Sequence, residues 1–491
     1  MTEPDLEVEL RDIAGDLQRR AAGRRPAIFQ PRDWLRRLIE QSLDDEQVRT
    51  ALFRFVDVLP SLRGARDVSA HLEEYFERVD HALGGLTLLA HTLRAGWLVA
   101  PLVRHNVVAL ARRFIVDEEP AKLLAALETL REEPAAFTLD VVGEATVSEH
   151  EALAMLARYQ RLLGEISARA GEWSEIPSID RGPRGAIPRV SISVKLSSLA
   201  ARFDPLDPET EPVVADRLRH LFREARRLGA SITVDMEQHE FKDATFSIFR
   251  SVLDDDEFRE SPAAGIAVQA YLRETEHDLR SLIDWARSRG RRIGVRLVKG
   301  AYWDSEIAWA EQKGWPVPVF TEKPATDFAY ERLSRLLLEN ADVIDAAFGS
   351  HNLRSLAHAL AFARRRALAP GDYEIQMLYG MAEPLRRALI ERGERVRVYV
   401  PTGELIPGMA YLIRRLLENT SNVSFLRESY AEGQDLERLL RPPVPSAPAA
   451  PAAVREFRNE PLENFAYEQS RERLGAALDS AHATLGRFHP L

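Results

Sequence analysis

The stretch VRLVKGAYWD, Val295 to Asp304, holds in ten residues the pattern on which the fold turns. A run from Arg292 to Val298 reads as a short strand. It stops at Lys299 and Gly300, and an amphipathic stretch of helical length follows. Glycine permits close backbone approach by a ligand, and Arg296, Lys299, Tyr302 and Trp303 gather cations and aromatics around the strand's end. The ordinary structural reading is a solvated cation at a strand end with an aromatic in the core.

Working outward, the same alternation of short strand-like runs with helical stretches fills the chain after Pro134. The other runs are Phe137 to Val142, Val190 to Lys195, Ser231 to Asp235, Gly265 to Tyr271, Ala346 to Ser350, Tyr373 to Leu378 and Arg395 to Val400. Eight such strands predict an α/β fold, a (βα)8 TIM-like barrel, which typically needs about 250 residues. A doubly wound open sheet is the competitor, because periodicity does not show whether a sheet closes.

Residues 1–133 read instead as an all-helical arm or scaffold, with Val48, Leu52, Phe55, Val56 and Leu59 on one stripe. The barrel is expected over 134–430. Residues 431–491 read as a Pro-rich linker, RPPVPSAPAAPAA from Arg441 to Ala453, and the start of a further region.

Composition narrows the function. The 491 residues carry 66 Lys plus Arg against 76 Asp plus Glu, a net charge of −10, which argues against a nucleic-acid surface. No cysteine is present, which excludes disulfides, thiolate metal sites and cysteine nucleophiles. The first thirty residues lack the apolar core of a signal peptide. The most apolar stretch, Leu83 to Ala111, is interrupted by His91, Arg94 and Arg104. A cytoplasmic, non-spanning protein is expected. No Gly-x-Gly occurs, and Gly403 to Gly408 is followed by Met409 rather than lysine, so the usual nucleotide motifs are missing.

Chemistry collects where the strands end. Glu144, Lys195, Asp235, Gln269, Lys299, His351 and Tyr399 each lie at or just after a different run, on the face where such barrels carry their sites. Lysine is scarce, six against sixty arginines, yet two of the six stand there. A second cluster lies in GMAYLIRRLLEN, Gly408 to Asn419, where Tyr411, Arg414, Arg415 and Glu418 share one helical face. The arginine pair suits a substrate carboxylate, and the plain alternative is a solvated stripe with an Arg414–Glu418 pair.

Taken together, VSISVKLSSL, AVQAYLR, VRLVKGAYWDSEI, FGSHN, IQMLYGM and YLIRRLLEN occur in an order that resembles the proline dehydrogenase domain of the bacterial proline utilization A flavoenzymes. The resemblance runs from Gly143 to Asn419. It implies a distorted barrel binding FAD at the carboxyl ends of its strands, with the Arg414–Arg415 helix as a lid. It assigns Lys195, Arg414 and Arg415 to the proline carboxylate, and Asp235, Tyr302, Leu378, Tyr399 and Tyr411 to the enclosure of the ring. Tyr399 matches the position that crowds the ring's fourth carbon and disfavours hydroxyproline. For FAD it assigns Gln269 and Arg296 as donors to the isoalloxazine edge, and Lys299, Gly300, Ala301 and Trp303 along the cofactor. Thr321, His351 and Asn352 fall near the phosphates and ribose, Glu418 near the adenosine, and Glu144 beside Lys195. No metal is implied.

Where the family commonly shows Thr-Arg-Lys this chain has Thr321, Glu322 and Lys323, an acid in place of a cation at the adenine end. Arg181 to Arg184 form an additional polar stretch, expected as a surface loop. The chain begins without the family's ribbon-helix-helix DNA-binding segment and closes soon after NEPLENF, Asn459 to Phe465, which resembles the start of an aldehyde dehydrogenase half. That half needs a cysteine, so an aldehyde dehydrogenase partner or C-terminal half is expected elsewhere. The expected reaction is oxidation of L-proline to 1-pyrroline-5-carboxylate, with a membrane quinone as acceptor reached by peripheral association. Two rival readings remain at this point: a Schiff-base aldolase using Lys195 or Lys299, and a non-catalytic helical scaffold that docks a dehydrogenase.

Overall fold

The computed structural model describes residues 3–22, 65–76, 112–143, 146–259, 263–403, 436–445 and 459–486, with isolated helical or extended positions between 51 and 62. Within them eight parallel strands close a barrel: β1 Ala136–Val141, β2 Ser191–Val194, β3 Ser231–Val234, β4 Ala264–Gln269, β5 Ile293–Val298, β6 Ile344–Gly349, β7 Tyr373–Leu378 and β8 Val396–Thr402. Every neighbour in the sheet is a neighbour in sequence, and β1 closes on β8 with Phe137 opposite Val398. Closure, the point that periodicity left open, is thereby settled.

Each strand obeys a strict period of two. Phe137, Leu139, Ile192, Val194, Ile232, Val234, Ile266, Val268, Val295, Leu297, Phe348, Ile375, Met377, Val398 and Val400 are all buried in one apolar core under the surrounding helices. The alternate residues face the barrel axis, and they are polar or small: Thr138 and Asp140, Ser191 and Ser193, Arg296, Glu374 and Gln376, Arg397. Barrels of this kind usually fill that space with branched aliphatics. Here hydrogen bonds fill it. Ser191 Oγ donates to Thr138 Oγ1 at 3.1 Å, Arg397 Nε to Glu374 Oε1 at 2.8 Å, and Arg397 Nη1 to the Phe137 carbonyl at 2.8 Å.

The helices follow from ordinary signals. The first, α1 (Glu3–Ala21), buries Leu6, Leu10, Ile13, Ala14, Leu17 and Ala21 on one stripe. After α2 (Ala65–Phe76) and α3 (Pro120–Glu132), the outer layer contains α4 (Glu149–Ala170), capped by Ser148, then α5 (Thr210–Leu228) and α6 (Lys242–Leu253). It continues with α7 (Thr275–Arg289), α8 (Trp303–Lys313), α9 (Lys323–Glu339), α10 (Leu353–Arg365), capped by Asn352, and α11 (Glu383–Glu391). A final helix, α12 (Glu468–Thr484), lies mostly exposed.

The stripe of α1 packs against α10 and α11, so this helix is part of the barrel's outer layer. Arg354 clamps it there. Its guanidinium donates to Glu7 at 2.7 and 3.1 Å and to Glu331 at 2.8 Å, and also to the carbonyl of Leu440 from a segment late in the chain. The Arg181 to Arg184 stretch, expected as a loop, is a small antiparallel hairpin pairing Arg181 with Ala186. Its arginines are tied down, Arg181 to Glu175 at 2.6 Å and Arg184 to Asp372 at 3.2 Å.

Candidate active site

Four of the expected residues meet at the carboxyl end of the barrel. Lys195 follows β2, Asp235 follows β3, Arg296 lies in β5 and Tyr399 in β8. Asp235 is the hub: Oδ1 accepts from Arg296 Nη1 at 2.5 Å, Oδ2 accepts from the Tyr399 hydroxyl at 2.7 Å, and Lys195 Nζ stands 3.8 Å from Oδ2. Lys195 also donates to Asp140, a residue of β1 that is 1% exposed. The Arg296 guanidinium lies over the Tyr399 ring, 5.1 Å from its centroid.

Lys195 is held as a cation. Burial pulls the Lys195 ammonium toward deprotonation, but Asp140 and Asp235 more than offset it, so its pKa lies above the usual lysine value. A Schiff-base lysine needs the opposite, a neutral amine at working pH. Lys299 is turned from the cage: its ammonium pairs with Asp327 and stands 5.6 Å from the Tyr330 ring centroid. Its pKa is lowered by burial, with Asp327 opposing. Lys195 therefore does not support the aldolase reading, and Lys299, although its lowered pKa is in the direction a Schiff base uses, is held in an ion pair with Asp327.

The remaining candidates line the rim. Leu378 ends β7, and its N–H donates to His351 Nε2 at 3.0 Å. Asn352 caps α10, its side chain accepting from the Ser355 N–H at 2.9 Å. Tyr302 is the residue before α8, and Ala301 precedes it. Trp303, 40% exposed, donates its indole N–H to the Phe320 carbonyl at 2.7 Å, beside the exposed Thr321.

Two residues take roles the sequence did not foresee. Gly300 has φ +129°, and a Cβ there would meet the Tyr271 ring at 2.5 Å. This glycine thus permits the Tyr271 ring to pack against the backbone at the strand's end. Gln269, cast as a hydrogen-bond donor, uses its amide NH2 on the carbonyls of Glu237 and Met236, at 3.2 and 3.4 Å. Its Oε1 is buried with no partner among the described residues, so the open group is an acceptor. Glu144, Tyr411, Arg414, Arg415 and Glu418 lie outside the described residues.

Sequence reading missed Asp140, Ser193, Glu237 and Gln376. Glu237 is buried, and its carboxylate accepts from the Ser197 N–H at 3.1 Å and hydroxyl at 2.5 Å, tying the loop after Lys195 to the loop after Asp235. Burial raises its pKa, with the Ser197 hydrogen bonds opposing. For Asp140, Ser193 and Gln376 the available signal was the placement of polar residues between apolar ones inside the strand runs.

A closed parallel barrel with an ion-paired cage at its strand ends is the architecture of a barrel enzyme. A family model described as proline dehydrogenase matches residues 123–428, more than half of the chain, and one described as the proline utilization A N-terminal domain matches residues 7–114. The chain belongs to the proline dehydrogenase family, a family of flavoenzymes. The bifunctional protein PutA of Escherichia coli is 32% identical over 360 residues, which are 70% of this chain and 26% of that protein. The proline dehydrogenase of Deinococcus radiodurans is 27% identical over 337 residues, 68% of this chain and 94% of that one. Among solved structures, proline utilization A from Bdellovibrio bacteriovorus, inactivated by N-propargylglycine, is 39% identical with a TM-score of 0.88. The match covers 98% of this chain and 49% of that one. The chain thus spans about a quarter of its bifunctional curated relatives. Among the described residues no helix is long and apolar enough to cross a membrane, and no cluster could hold a metal ion.

Proposed function

We propose that this chain is an FAD-dependent proline dehydrogenase that oxidises L-proline to 1-pyrroline-5-carboxylate. The observation that carries the reading is the Asp140–Lys195–Asp235–Arg296–Tyr399 cage at the strand ends of a barrel of this family. The residues fit a flavin: the orphaned, buried Oε1 of Gln269 suits a ring N–H, and Arg296 retains N–H groups beyond the three it gives to protein. The N-terminus of α10, after His351 and Asn352, suits phosphate. FAD held there supplies the acceptor for the hydride leaving C5.

The protein's part is grip and orientation. Lys195, kept cationic by its two carboxylates, takes the substrate carboxylate with Arg414 and Arg415. Asp235, Tyr302, Leu378, Tyr399 and Tyr411 enclose the ring. Gln269, Arg296, Lys299, Gly300, Ala301, Trp303, Thr321, His351, Asn352 and Glu418 serve the cofactor. The ring nitrogen enters unprotonated. Its lone pair forms the C=N bond as hydride leaves C5, and the nitrogen then gives up its proton. Because the raised Lys195 pKa keeps that side chain charged well beyond neutrality, activity rises with pH along the titration of the substrate amine rather than of the protein cation.

The same reading places a helical arm at 1–133, the catalytic barrel at 134–430 and a linker at 431–491. It supplies a membrane quinone as acceptor and an aldehyde dehydrogenase half as partner. Anaerobic addition of proline to the purified yellow protein tests it: the flavin absorbance bleaches, whereas a protein without flavin, or one that proline leaves oxidised, ends the proposal. Arg415→Met is expected to raise the proline KM by roughly 30-fold or more while FAD stays bound, because a partner charge is left buried and unmatched. An unchanged KM removes Arg415 from the carboxylate site.

A further inference from the structure

Beneath Arg296 the barrel holds a chain of side chains that nothing above assigns to the reaction. Arg296 is 4% exposed and is held from three strands: Nη1 on Asp235, Nη2 on the Ser193 hydroxyl at 3.0 Å, and Nε on Gln376 Oε1 at 2.6 Å. Gln376 in turn donates its NH2 to Glu374 Oε1 at 2.6 Å. Glu374 accepts from Arg397 Nε at 2.8 Å and Arg395 Nε at 3.0 Å. The chain therefore runs from the cage down to the start of β8.

Its polarity has one solution. Burial raises the Glu374 pKa, but Arg397, Arg395 and the Gln376 amide outweigh this and hold it at about 2, so Glu374 is an anion throughout any working pH range. A carboxylate only accepts, so the Gln376 amide must present its NH2 downward and its oxygen upward. The oxygen then meets the Nε–H of Arg296. An amide oxygen, unlike a carboxylate, fixes Arg296 without neutralising it. Its charge stays available to Asp235 and to the space above.

We propose that Gln376 is a positioning residue, an amide locked by Glu374 that sets the height and plane of Arg296 in the active site. The argument rests on the proposed function for its kinetic consequence and on the hydrogen bonds alone for its structural one. Gln376→Leu removes the acceptor with little change in volume, and Gln376→Glu keeps an acceptor for Arg296 Nε but loses the N–H given to Glu374. In the FAD-loaded enzyme Gln376→Leu is expected to lower kcat for proline by 10- to 100-fold with KM within threefold and a displaced flavin absorbance band. Gln376→Glu should not restore kcat, because its carboxylate faces the Glu374 anion and offsets the Arg296 charge; wild-type kcat in that variant would show that the amide is not required.

A structural readout stands apart from turnover. With ¹⁵N-labelled arginine, the Nε–H of Arg296, assigned through Arg296→Lys, should exchange slowly in the wild-type protein and rapidly in Gln376→Leu. Wild-type kcat, spectrum and exchange in Gln376→Leu overturn the proposal. So does equal loss in both variants accompanied by loss of FAD and of thermal stability, which marks a packing role. If wild-type protein fails to oxidise proline while the exchange difference persists, the positioning stands and the proposed function falls.

Discussion

Asp235→Ala is expected to lower kcat/KM for proline by roughly 30- to 5,000-fold, the equivalent of about 2–5 kcal/mol for removing one partner of a buried, hydrogen-bonded charge pair. The side chain accepts from Arg296 and Tyr399 and lies 3.8 Å from Lys195, so its loss removes one partner from three groups at once. Arg296 keeps Ser193 and Gln376 but loses its only anion among the described residues. Asp235→Asn retains one acceptor while turning an N–H toward donors, and it should fall between alanine and wild type. Steady-state proline kinetics, with flavin content measured on the same samples, decides the matter. An alanine variant within threefold of wild type, fully loaded with FAD, would remove Asp235 from the centre of the site.

Lys195→Met acts on stability and on substrate together. Asp140 is 1% exposed on the inner face of β1, and Lys195 is its counter-ion. Breaking such a pair typically costs about 3–5 kcal/mol, because the remaining charge is buried and unmatched. The variant should melt well below wild type. Adding Asp140→Asn should restore most of the melting temperature, as replacing both partners of a buried pair is often neutral. It should not restore the proline KM, because the cation that receives the carboxylate is still absent. Recovery of both by the double change would show that Lys195 serves the fold alone.

Strand positions were legible because each run is apolar at alternate positions and ends at a polar or glycine residue. Tyr373–Leu378 matches its observed limits, and the other seven runs shift by only a residue or two. The cage was legible in part, since Lys195, Asp235 and Tyr399 stand at strand ends. The residues that support it were not. Asp140, Ser193, Glu374 and Gln376 sit inside strands, where a charged or polar residue between two aliphatics reads as an exposed face. In a closed barrel that second face is the interior, so the pattern that signals solvent in an open antiparallel sheet signals buried hydrogen bonds here. Pairings distant in sequence, such as Arg296 with Gln376, depend on which strands lie across the barrel, and no local pattern carries that.

The polar interior also bears on how the chain assembles. Arg296, Asp235, Ser193 and Gln376 come from or directly follow β5, β3, β2 and β7, and Arg397 from β8 reaches back to the Phe137 carbonyl on β1. A half-barrel would strand ionised groups in a low-dielectric setting with their counter-ions still on the unfolded remainder. An aliphatic lumen tolerates a partly built intermediate far better. Ring closure in this molecule is thus close to all-or-none, and fragments split between β4 and β5 should gain structure only when mixed.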